Sequence, residues 1–116
     1  MKQPVYDLEE RTYLFAKNVR MVLKKIPLSP VFEPDKVQLI KSSGSVGANY
    51  IEANESLGRK DFLFRVKICR KEAKESVYWL RLIHDTFDVM DREIDDLIDE
   101  ASQLKRIFSS IIEKSK

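Results

Sequence analysis

The sequence is short of the residues from which active sites are usually built. Among its 116 residues are one cysteine, one histidine, three glycines and four prolines. A lone Cys69 excludes an intrachain disulfide framework and points to a reducing compartment. A lone His84 excludes the paired Glu-x-x-His motifs of di-metal bundles, and the residue three before it is Arg81. No glycine-rich phosphate loop or dinucleotide fingerprint is present. No apolar run approaches the roughly 18 residues of a membrane helix. The opening MKQPVYDLEERTY carries no apolar signal segment, so a cytoplasmic location without a membrane partner is expected. The formal net charge of +2 does not by itself call for a polyanion.

What the chain has is helix-forming pattern. With 43% hydrophobic and 34% charged residues it reads as one soluble helical domain spanning 1–116. Helices are predicted at about 7–25, 34–57, 60–86 and 91–114. Leu8, Thr12, Phe15, Val19, Val22 and Ile26 mark the buried stripe of the first, with Asp7 as N-cap and Pro27 and Pro30 as terminators. Pro34 opens the second and Gly58 marks its stop. Phe62, Val66, Cys69, Ala73, Val77, Leu80 and Ile83 form the main face of the third. Ile94, Leu97, Ile98, Ala101, Leu104, Phe108, Ile111 and Ile112 form that of the fourth. Four long helices with short connections predict an all-α, up-down-up-down four-helix bundle.

Two helices carry more apolar surface than one bundle needs. In the second, SSGSVGANYIEA places poor helix formers in mid-helix. Gly44, Gly47 and Ala48 share a face with Val37, Ile40 and Ile51, a seam that a second backbone can approach closely. Leu39, Val46, Tyr50, Ala53 and Leu57 form another face. In the third helix, Phe64, Ile68, Trp79 and Leu82 form a second stripe. Together with Tyr50, this doubling predicts self-association; a broad core filled by large aromatics is the alternative.

No convergent catalytic set appears, so no enzymatic activity, cofactor or metal is expected. Cys69 lies on the core face without a base, and His84 reads as a packed or capping residue. Asn49, Glu52, Arg65, Glu72 and Glu75 read either as a polar network fixing register or subunit pairing, or as solvated surface.

The functional hint is a one-sign stripe. Lys60, Lys67, Arg70, Lys74 and Arg81 fall within about 80° of one another on the third helix. Such clusters neutralise phosphates. The opposing reading is mutual compensation, with the basic start of the third helix near the acidic start of the first. On that reading Glu52 and Glu55 also lie near the basic start of the third helix, and Asp91, Glu93, Asp95, Asp96, Asp99 and Glu100 lie near the basic end of the first. No aromatic interleaves the basic positions, which argues against a stacking platform for single strands.

Three blocks carry a family resemblance: Ser45–Ala53 (SVGANYIEA), Arg59–Phe62 (RKDF) and Ile68–Leu80 (ICRKEAKESVYWL). They resemble the four-helix-bundle family of 23S rRNA intervening-sequence proteins, with Cys69 standing where a small residue is common and Gly47 an additional glycine. The resemblance implies a ring-like homo-oligomer, a pentamer. It also implies similarity to the accessory protein of diversity-generating retroelements, a basic barrel associated with nucleic acid and reverse transcriptase. The resulting expectation is a non-enzymatic oligomeric accessory or scaffold that offers a basic surface to RNA, DNA or a nucleic-acid enzyme. An oligomeric protein-interaction module is the alternative.

Overall fold

The computed structural model describes residues 7–87 and 92–116. Four helices account for most of them: α1 (Leu8–Leu23), α2 (Glu33–Asn54), α3 (Arg59–Thr86) and α4 (Arg92–Lys114). They form an all-α four-helix bundle measuring 45 × 31 × 19 Å. Contacts across each seam run in opposite sense along the chain, so consecutive helices are antiparallel and α4 returns beside α1. Asn54 reaches Glu9, Ser42 meets Ser76, His84 meets Asp95, and Arg11 meets Glu100.

Local chemistry sets the helix ends. The Asp7 carboxylate accepts the Glu10 N–H at 3.0 Å, and Glu9 and Glu10 complement the positive end of α1. The helix stops at Leu23, before either proline. Lys25 and Ile26 close onto Val22 and Leu23 in tighter turns. Lys36 then pins the connection, donating to the Ile26 carbonyl at 2.9 Å and to Glu33 at 2.9 Å. The start expected at 91 for the fourth helix, and the acidic residue Asp91, lie outside the described residues.

Gly58 does not stop α2. That helix ends at Asn54, where Ser56 closes onto Ala53, and Gly58 is instead the extended N-cap residue of α3. Its carbonyl accepts the Phe62 N–H at 3.0 Å.

The two faces of α2 resolve unambiguously. Leu39, Val46 and Ala53 are buried in the core with Phe15, Val19, Val66, Cys69, Leu80, Leu104 and Phe108. Tyr50 rests on Phe108 with ring centroids 5.9 Å apart, so it belongs to the core rather than to a second stripe. The expected seam is also corrected in part. Gly47 is approached from within the chain: a Cβ there would lie 2.9 Å from Thr12 Oγ1, in α1. Gly44 meets only the tip of Arg20, and Ala48 is exposed. On the other flank, the Ser42 and Ser76 hydroxyls share a hydrogen bond of 2.8 Å, with the Glu72 carbonyl 2.9 Å from Ser76 and the Leu39 carbonyl 3.4 Å from Ser42 as further acceptors. These two buried hydroxyls join α2 to α3 without an unsatisfied polar atom.

Candidate nucleic-acid interface

The helical rise of about 1.5 Å per residue spreads Lys60 through Arg81 over roughly 32 Å of α3. Lys67, Arg70 and Lys74, together with Lys71, line one side of a groove of about 430 Å³; Lys105 and Ser109 of α4 line the other. Lys60 and Arg81 continue the stripe beyond the groove and do not line it. No carboxylate lines it, and none of these cations forms an ion pair among the described residues.

The acidic residues of α4 meet α1, as expected at that end. Those expected near the start of the stripe form no ion pair with it among the described residues; Glu9 instead accepts from Asn54 at 2.8 Å. Arg11 grips Glu100 through two parallel bonds of 2.7 and 2.8 Å, which raises the guanidinium pKa further. Lys25 meets Glu93 at 2.6 Å. The expected compensation between α4 and α1 is present, while no ion pair among the described residues reaches the α3 stripe. Lys105 lies outside the apolar stripe that marks α4 in the sequence. Only the antiparallel register of α3 and α4 places it opposite Arg70.

The proposed polar network is smaller than expected. Arg65 donates to Asn49 Oδ1 at 3.1 Å, and Asn49 donates to the Ser45 carbonyl and hydroxyl at 2.9 and 2.8 Å. The carboxylates of Glu52, Glu72 and Glu75 join no hydrogen bond or ion pair among the described residues. Glu72 is half-buried in a groove between α2 and α3 shared with Lys41, Ala48, Lys71 and Glu75. Burial, and then the neighbouring Glu75, raise its pKa.

In the second stripe, Phe64 stands exposed while Ile68 and Leu82 are half-buried. Trp79 packs on the core, with Tyr78 edge-on at 4.9 Å. Cys69 is buried, and burial pushes its thiol up to about 12, so it is not a nucleophile at neutral pH. His84 is half-buried in the last turn of α3. Its two ring nitrogens meet Asp85 at 2.9 Å and Asp95 at 3.0 Å, linking α3 to α4. Among the described residues no group of three or more His, Cys, Asp and Glu is placed to hold a metal ion. No described helix is long and apolar enough to cross a membrane.

Comparison with known proteins agrees with this architecture. Four chains of known structure match. One is the crystal structure of a protein of unknown function from the S23 ribosomal protein family of Bacteroides thetaiotaomicron. It is 27% identical, with a TM-score of 0.77 over 90% of this chain and 96% of that one. No curated protein sequence matches. The profile of the 23S rRNA-intervening sequence proteins matches residues 6–110, nearly the whole chain. The chain belongs to the 23S rRNA-intervening sequence protein family.

Proposed function

We propose that this protein is a non-enzymatic, homo-oligomeric accessory or scaffold protein of the cytoplasm that holds the phosphate backbone of RNA or DNA in its α3–α4 groove. One observation carries the reading: Lys67, Arg70, Lys71, Lys74 and Lys105 converge on a single groove with no acidic wall. Cations so placed bind phosphates by releasing condensed counterions, which needs no base recognition. No aromatic ring lines the groove, so the backbone rather than stacked bases is the ligand. Assembly into a ring, a pentamer on the family resemblance, presents one groove per subunit and converts weak contacts into avidity. The likeness to the retroelement accessory protein belongs to this same proposal, as does a nucleic-acid enzyme as partner.

Titrating labelled RNA and duplex DNA at several salt concentrations tests the reading. Binding should weaken steeply with salt and should fall at least tenfold when Lys67, Arg70 and Lys74 are replaced by glutamine. Absence of binding at low salt, or binding unchanged by those substitutions, refutes it. Exposed Phe64 and Tyr78 would then favour the second reading, an oligomeric module that docks another protein.

A further inference from the structure

The outward side of α2 is apolar where solvent would require charge. Val37, Ile40, Gly44, Ala48 and Ile51 share its outer ridge, and Val37, Ile40 and Ile51 are 49%, 37% and 48% exposed. The ridge extends over roughly 21 Å at the helical rise. Glu52, Glu72 and Glu75 border it on the α3 flank without a hydrogen-bonded or ion-paired partner among the described residues. Lys41 and Lys71 share that groove, but neither comes within ion-pair distance of these carboxylates.

The outward side of α1 has the complementary character. Tyr13 and Met21 are exposed there, with Lys17 and Lys24 alongside them. Neither lysine forms an ion pair among the described residues. This face spans roughly 17 Å, close to the length of the α2 ridge.

We infer that the α1 face of one copy docks on the α2–α3 face of the next. Tyr13 and Met21 cover Ile40, Ala48 and Ile51, and Lys17 and Lys24 form with Glu72 and Glu75 the ion pairs that Lys41 and Lys71 do not. The two faces differ, so the contact is heterologous. They lie on adjacent sides of the bundle rather than opposite ones, so each copy turns relative to the last, as the closed ring of the function proposed above requires. The α3–α4 groove shares Lys71 with the α2–α3 face, but Lys67, Arg70, Lys74 and Lys105 lie outside that face and remain open in every subunit. The inference rests on the oligomeric part of the function proposed above and specifies the surfaces that build it.

Light scattering coupled to gel filtration tests it on the full chain. Lys17→Glu with Lys24→Glu should reduce the assembly to smaller species. Adding Glu72→Lys and Glu75→Lys to the same chain should restore the wild-type mass. Ile40→Glu with Ile51→Glu should also dissociate it while leaving the helical circular dichroism intact, because both side chains are exposed. An assembly unchanged by the Ile pair and by the Lys pair overturns the inference and leaves oligomerisation standing. A monomeric wild type overturns both. Lys67→Gln, Arg70→Gln and Lys74→Gln should keep the full mass, and a loss of assembly there would overturn the assignment of surfaces.

Discussion

Thr12 and Gly47 meet where α1 crosses α2, with no room between them for a methyl group. A Cβ on Gly47 would lie 2.9 Å from Thr12 Oγ1 and 3.2 Å from Thr12 Cβ. Thr12 is wholly buried, and its hydroxyl donates to the Leu8 carbonyl at 2.7 Å, so it cannot swing aside without losing that bond. Overpacking of this kind costs about 1–3 kcal/mol, whereas alanine in place of a helical glycine returns about 1 kcal/mol. Gly47→Ala should therefore destabilise the fold by up to about 2 kcal/mol. Gly44→Ala, which meets only the far end of the Arg20 side chain at 3.2 Å, should be neutral or stabilising. Urea denaturation of both variants checks this, and the reverse order of stability would refute it.

The bridge from His84 to Asp85 and Asp95 gives the α3–α4 junction a pH dependence. Its hydrogen bond to Asp85, followed by the charge of Asp95, raises the imidazole pKa above the ordinary value. A raised folded-state pKa contributes stability that is fully present below the unfolded value, about 6.5, and is lost as pH rises through the folded value. The melting temperature of wild type should exceed that of His84→Gln at about pH 5.5, with the difference shrinking toward about pH 8.5. Proton NMR of the single imidazole should report a midpoint above about 6.5. A midpoint below that would contradict the bridge.

How far the sequence revealed this molecule depended on the kind of information needed. Four helices were legible because Phe15, Val19 and Val22, or Leu97, Ala101, Leu104 and Phe108, recur at helical spacing and are buried. On α2 periodicity was insufficient, since Ile40, Gly44 and Ile51 are as regularly spaced as Leu39, Val46 and Ala53. Only the packing of α1 and α3 against α2 decides which set faces inward. The basic stripe of α3 was legible, but its state of charge was not. That depended on whether the acidic start of α1, Glu52 and Glu55 come within ion-pair distance of it, and among the described residues they do not. Gly58 misled because a glycine after a helix reads as a C-terminal stop, although here it opens the next helix.

Cys69 should behave as a core residue throughout the physiological range. Its thiol is pushed up to about 12 by burial, so the native state holds its proton where the unfolded chain releases it. A raised folded-state pKa again means stability is present below the unfolded value and lost as pH rises, here between roughly 9 and 12. Cys69→Ala should lessen the alkaline loss of stability. At about pH 8, near the ordinary thiol pKa, a thiol-reactive dye should label wild type only on addition of denaturant. Rapid labelling of the native protein would show the site to be open.

Lys105 separates a groove from a stripe. If the nucleic-acid backbone followed the α3 charges alone, Lys60 and Arg81 would matter as much as Lys74, and Lys105 on α4 would not matter. If the backbone sits between the helices, Lys105 faces Lys67 and Arg70 across the same groove and contacts phosphate with them. Lys105→Gln should then weaken duplex DNA binding and flatten the dependence of log K on log salt by about 0.9, the contribution of one phosphate contact per protomer engaged. Lys60→Gln, outside the groove, should change that slope by less. Equal slopes for wild type and Lys105→Gln, with a reduced slope for Lys60→Gln, would move the interface off the α3–α4 groove and onto the outer surface of α3.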